Sequence, residues 1–263
     1  MDKPFKTYDQ LEGILSSRGL VLGSHVDGIL EREGYYAVVN GYKDPFLDTE
    51  EAGDDAYLPG TSFDEIYSLF VMDRHLRAVL FRYITFAEAT LKSVSTYQFC
   101  LAHPDDNEAY LKAGCYRRDR NYPELVSGYI HELARIIGRG DRKPKYMRDY
   151  LRHYVEDHDN VPLWVVMNNL SLGQAFKFYD FQTEAVRFAV AQRFQALYNQ
   201  THHGCRRITH TRLRKSYDRI KDFRNICAHD ERLYCARVDK SKSTTFQDVM
   251  GDLQTVLSNE QYK

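Results

Sequence analysis

No run of this 263-residue chain alternates apolar and polar residues over more than a few positions, which argues against a sheet fold. There is no Gly-rich phosphate loop, no Walker-type sequence, no HExxH and no internal repeat. P-loop nucleotide hydrolysis and zinc-protease chemistry therefore lack a carrier, and no cofactor or metal is expected. The five cysteines, Cys100, Cys115, Cys205, Cys227 and Cys235, are scattered, odd in number and without metal-ligand spacing. That pattern favours reduced thiols in a cytoplasm. His202, His203 and Cys205 crowd together but have no second half to make a metal site. A charged-then-apolar opening of signal type is also missing. The longest uncharged run, Val161 to Phe176, is too short and too rich in Asn and Gln to span a bilayer, so no membrane is expected. Neither sign of charge is in excess: the net charge is −1, and the chain as a whole attracts no charged partner.

What is present is helical period and aromatic bulk, with 20 Tyr and 14 Phe. Thr7 to Gln10 reads as a capping box ahead of Leu11, Ile14 and Leu15, with Gly19 as the stop. A second helix opens near Ser24 and stops at Gly34. Residues 47–60 read as an acidic loop. Ser62-Phe63-Asp64-Glu65 is another capping box, and it opens the longest periodic stretch, uninterrupted by Gly or Pro until Pro104. One helix from about 62 to 99 is expected, with Leu76, Val79, Leu80 and Tyr83 among its apolar positions. Asp73, Arg74, Arg77 and Glu88 are read as surface groups or helix-to-helix ion pairs. Further helices are expected over Pro123–Ile137 (with Leu125, Tyr129 and Leu133 inward), Tyr146–Val155, from Pro162 (as a first-turn residue) to Asn169, Ser171–Asp180, Thr183–Leu197, Thr209–Ala228 and Phe246–Leu257. Gly140 to Pro144 reads as a basic loop and 241–245 as a Ser/Thr linker. The expected fold is all-α, a helical bundle.

Charge is unevenly placed. Asp44 to Glu65 holds eight acidic residues and no Lys or Arg, while Arg206 to Arg224 holds eight basic residues. Such runs are either solvated helix faces or, for the basic one, a surface that can track a phosphate backbone. Behind that flank lies Phe223-Arg224-Asn225-Ile226-Cys227-Ala228-His229, followed by Arg232-Leu233-Tyr234. Asn225 and His229 are i and i+4 and share a face. Arg224 can swing toward the same side, and Arg232 is expected to continue a polar stripe through 218, 222, 225, 229 and 232. Leu213, Tyr217, Ile220, Phe223 and Ile226 or Cys227 form the opposite, core-facing stripe. The Arg-to-His spacing itself occurs four times in the chain, this copy included, and decides nothing. Context separates this copy: a polar Asn directly after Arg, a small residue before His, and an adjoining Arg-Leu-Tyr. Two readings of it stay open. Arg224 can pair with Asp222 or Glu231 while His229 merely caps a helix, or the group can act on a phosphodiester.

Several blocks, in order, resemble the Abi-like abortive-infection proteins of bacteria, a family within the HEPN group of helical ribonucleases. They are Lys3-Pro4-Phe5 with Arg18-Gly19-Leu20; Tyr35-Tyr36 with Gly41-Tyr42 and Pro45-Phe46; Gly60-Thr61-Ser62-Phe63 through Asp73-Arg74-His75-Leu76-Arg77; Pro162-Leu163-Trp164 with Leu172-Gly173; and Arg224 to His229 with Arg232-Leu233-Tyr234. The resemblance implies a HEPN-type bundle at 61–263, with an N-terminal helical segment, 1–60, packed on its core and a basic helical insertion at about 100–160. It also implies an RNA-cutting toxin of phage defence, active as a homodimer in the cytoplasm and held in check by a protein or RNA antitoxin.

The chemistry of the residues agrees with that class. An imidazole changes charge between pH 5 and 8 and can serve as general acid or base, which suits His229. The Arg224 fork can hold non-bridging phosphate oxygens, and Asn225 can orient the imidazole or donate to phosphate. Arg206, Arg207, Arg212, Arg214, Lys215 and Arg232 are the candidate RNA-binding cations. The competing readings are an RNA-binding module without cleavage, holding a regulatory RNA, and a helical protein-interaction scaffold. Each predicts that the Arg224/His229 row does no chemistry.

Overall fold

Helical period dominates the chain, and the computed structural model is all-α. It describes residues 4–48, 55–119, 121–140, 146–238, 241 and 243–262. Six residues of the acidic stretch (49–54), the basic loop residues 141–144 and one residue of the Ser/Thr linker (242) lie outside the described residues. Among the described residues only isolated β-bridges occur, with no strand. The chain divides into two compact units, one of Met1–Val79 with Asp230–Cys235 and one of Leu80–His229 with Ala236–Lys263.

The first unit begins with α1 (Tyr8–Ser17) and α2 (Val26–Glu33). Thr7 and Gln10 close the expected capping box, and Gly19 and Gly34 leave the helices at positive φ, where a Cβ would be strained. A π-helical turn covers Tyr36–Asn40. Helix α3 (Phe63–Ala102) then starts on the second box: the Ser62 N–H donates to the Glu65 carboxylate at 2.8 Å. Leu15, Leu20, Ile29, Val38, Phe63 and Phe70 form the core of this unit. Extended links hold its loops, with Val21 N–H on the Thr61 carbonyl and Phe63 N–H on the Val21 carbonyl, both at 2.9 Å.

The buried stripe of α3 runs Phe63, Ile66, Phe70, Asp73, Arg77, Leu80, Ile84, Ala87 and Leu91. Two expectations change here. Asp73 and Arg77 occupy core positions of the stripe, 0% and 3% exposed, and Val79 faces outward at 54%. A helix that holds period 3.6 over 40 residues fixes which residue faces in, so a polar residue in register is carried inward with its neighbours.

In the second unit, α4 (Tyr122–Ile136), α5 (Asp149–Asp157), α6 (Leu163–Met167) and α7 (Leu172–Phe181) surround an aromatic core of Phe99, Tyr116, Tyr129 and Phe178. Val126, not Leu125, is the buried residue near the start of α4. Pro162 stands at the N-cap of α6 rather than inside its first turn, and its carbonyl accepts from Val165 and Val166. Helix α8 (Glu184–Thr201) packs on α9 (His210–Ala228), as do α7 and α10 (Phe246–Val256), and α11 (Asn259–Tyr262) follows. Asp252 of α10 accepts from Ser216 Oγ at 2.6 Å and from the Arg219 guanidinium at 2.5 and 2.7 Å.

Candidate functional site

Helix α9 carries the Arg/Asn/His row. Thr209 caps it, accepting the Arg212 N–H at 3.2 Å. Leu213, Tyr217, Ile220 and Phe223 are wholly buried, and the Tyr217 hydroxyl donates to the Ala87 carbonyl at 2.8 Å. One face of the helix is thereby fixed, and the other presents Arg224 partly exposed and Asn225 and His229 exposed. His229 is the C-cap, its N–H donating to the Asn225 carbonyl at 2.9 Å. Asp230 follows at φ 56, a left-handed turn that ends the helix.

The carboxylates nearest Arg224 in sequence are engaged elsewhere. Lys221 pairs with Asp218 at 2.7 Å and with Asp222 at 3.4 Å. Within its own unit Arg224 has no ion pair among the described residues, Asp222 included. It reaches instead toward the Asn225 side-chain oxygen at 3.4 Å, which puts its fork on the Asn225 side of the helix. The helix thus holds a guanidinium with no counter-charge, an amide and an imidazole together at its last turns.

The polar stripe stops at His229. Because the helix ends there, Arg232 is not the next i+3 position. It belongs to the first unit, where it donates to the Gly41 carbonyl at 3.1 Å and lies 3.6 Å from Asp44. Arg214 is also engaged, gripping the buried Asp180 at 2.7 Å. Arg207, Arg212 and Lys215 are exposed, and with the half-buried Arg206 they have no ion pair among the described residues. Arg206 lies 5.8 Å over the Tyr198 ring. His202 stacks on the same ring at 4.0 Å, with its Nδ1 at 3.1 Å from the Tyr198 carbonyl. Among the described residues no group of His, Cys, Asp and Glu is placed to hold a metal.

One polar group in the first unit escaped the sequence reading. The Asp73 carboxylate accepts from Tyr42 Oη at 2.8 Å, Arg77 Nη1 at 2.7 Å, Leu233 N–H at 2.9 Å and Tyr234 N–H at 2.6 Å. Arg77 also donates to the Glu231 carbonyl at 3.2 Å and pairs with the Asp230 carboxylate. Burial disfavours the Arg77 cation, but Tyr42, Asp230 and Asp73 outweigh it, and the net direction of its pKa is upward. Burial, together with the hydrogen bond to Asp73, pushes Tyr42 up to about 12. The group clamps residues 230–234, the segment that follows His229 in the chain. Its signal was present in the register: 66, 70, 73, 77, 80 and 84 are a single 3–4 repeat in which only 73 and 77 are charged.

An all-α chain with a solvent-facing Arg/Asn/His row and a basic flank falls among helical proteins without metal or nucleotide motifs. Its family is shown directly: the Abi-like protein family matches residues 28–235, well over half of the chain, and the chain belongs to that family. The match covers both the clamp and the Arg224–His229 row. Membership suggests a role in abortive infection, a defence against phage. No curated protein and no solved structure matches the chain.

Proposed function

We propose that the protein is a metal-independent endoribonuclease toxin of a phage-defence or toxin–antitoxin system, acting at a site built on Arg224, Asn225 and His229. The observation that carries this reading is the uncompensated Arg224 guanidinium beside Asn225, on the helix whose last turn bears His229. Lys221 takes the acidic neighbours, so the Arg224 fork is left for an external anion. A phosphodiester meets that requirement.

In the proposed reaction an imidazole removes the 2′-OH proton. The 2′-oxygen forms a bond to phosphorus, the P–O5′ bond breaks, and a proton passes to the 5′-oxygen. The products are a 2′,3′-cyclic phosphate and a 5′-OH. Arg224 offsets the charge that grows on the non-bridging oxygens. One chain supplies one such His, so a second copy supplies the other and the site belongs to a homodimer. An antitoxin, protein or RNA, keeps it silent.

The test is total RNA incubated with the purified chain in EDTA, beside Arg224→Ala and His229→Ala. Each variant is expected to lose about 10²–10⁴-fold in cutting. Cutting that survives in both overturns the site. Salt-sensitive RNA binding without cutting by the parent chain identifies a non-catalytic RNA module instead. Light scattering that finds only monomer at working concentration rules out a two-copy site.

A further inference from the structure

The second unit also holds a groove of about 890 Å³ at the other end of α9. One wall is a face of α8 made by Glu184, Phe188, Gln192, Gln195 and Asn199, spaced three and four apart. The opposite wall is the segment leading into α9, with Cys205, Arg206, Arg207 and His210. The walls are tied together. The Asn199 side-chain oxygen accepts the Arg206 N–H at 3.0 Å, and the Gln195 side-chain oxygen accepts the Ile208 N–H at 2.9 Å. The lining is mostly polar, with one acid, Glu184, 3.9 Å from His210, and two large apolar residues, the buried Ile208 and an exposed phenylalanine. Phe188 is 54% exposed, while Val186, Val190, Ala191 and Phe194 supply the buried side of α8.

We infer that this groove binds single-stranded RNA, with Phe188 as a stacking surface for an unpaired base and Arg206 and Arg207 on the flanking phosphates. The combination selects the ligand. An aromatic ring open to solvent accepts a base of any sequence, and adjacent cations without ion-pair partners meet the backbone. A duplex can reach the arginines, but its stacked bases cannot reach Phe188. The inference takes its ligand class from the RNA reading of the Arg224 site. Helix α9 separates the two places by about 20–30 Å at its rise per residue. Groove contacts therefore fall on nucleotides well away from the scissile bond and act on binding rather than on the chemical step.

The experiment is fluorescence anisotropy with a fluorescein-labelled oligouridylate, titrated into the full chain and into His229→Ala, over a series of salt concentrations. Phe188→Ala is expected to weaken binding about ten-fold, the loss of one stacked base, and Phe188→Tyr to restore it. The double variant Arg206→Gln/Arg207→Gln is expected to lower the log–log salt slope by about 1.4. All these side chains lie at the surface of the groove, and circular dichroism verifies that the variants fold. Parent-like binding by both Phe188→Ala and the arginine pair overturns the inference. So does an equal loss on duplex RNA in Phe188→Ala, which marks a structural effect. If Arg224→Ala and His229→Ala still cut while groove variants lose binding, the catalytic assignment fails and the groove stands.

Discussion

Replacing Asp73 tests the clamp. The carboxylate is fully buried and receives four donors, two from side chains and two from the backbone of Leu233 and Tyr234. Asp73→Ala strands a guanidinium that is 3% exposed; among the described residues Asp230, the Glu231 carbonyl and Tyr42 then hold it. It also leaves two backbone N–H groups without acceptors. Breaking a buried pair in this way costs about 3–5 kcal/mol. Asp73→Asn keeps the shape, but whichever way the amide turns, its NH₂ faces a donor. A loss of about 3 kcal/mol follows from the charge-assisted bonds removed. Amide hydrogen exchange reads the effect locally. The Leu233 and Tyr234 amides are expected to exchange about 100-fold faster in Asp73→Asn, the equivalent of about 3 kcal/mol. The double replacement Asp73→Leu/Arg77→Met is expected to regain only part of the stability: no buried charge is then left alone, but the Leu233 and Tyr234 N–H groups still lack acceptors. Unchanged exchange at those two amides in Asp73→Asn refutes the reasoning.

Alkaline pH acts on the same group. Tyr42 titrates at about 12 in the folded chain against an ordinary 10.0, so the folded state holds the phenolic proton more tightly. The resulting stability is full below pH 10 and is lost as pH rises through about 12. Other buried tyrosines are raised as well, so Tyr42→Phe is expected to make the alkaline loss shallower by its own share only in a pH series of urea midpoints, at a cost of about 1 kcal/mol near neutrality. At Asp230, φ 56 suits Asn but not a β-branched side chain. Its carboxylate is 60% exposed, so the ion pair contributes little. Asp230→Asn is expected to cost below about 1 kcal/mol and Asp230→Val about 1–2 kcal/mol more, measured by chemical denaturation.

The helices were legible because their ends are written in local chemistry. Thr7 and Ser62 cap where the sequence placed them, Thr183 and Thr209 cap the helices expected to begin there, and α3 is continuous because nothing in it breaks a helix. The inward face of α9 was equally plain, since Leu213, Tyr217, Ile220 and Phe223 repeat at helical spacing. Burial of charge was not legible in the same way. Asp73 and Arg77 are polar by type but core by register, and their partners, Tyr42 and residues 230–234, are remote in sequence. The fate of Arg232 was hidden for a related reason. The left-handed turn before it falls on Asp230, with no Gly to announce it. Arg224 and Lys221 show the converse limit: both lie near Asp222, and only geometry shows which of them takes it.

The clamp joins residues far apart in sequence: Arg77 meets Asp230 across 153 positions and Asp73 meets Tyr234 across 161. A ribosome adding about 5–20 residues per second needs roughly 8–30 s to travel that distance. Until it does, the nascent first unit has its helices but not the segment that satisfies Asp73 and Arg77. The Leu80–His229 stretch emerges whole within that interval. The unit that holds α1 and α2 is therefore closed only after the whole Leu80–His229 stretch has been made.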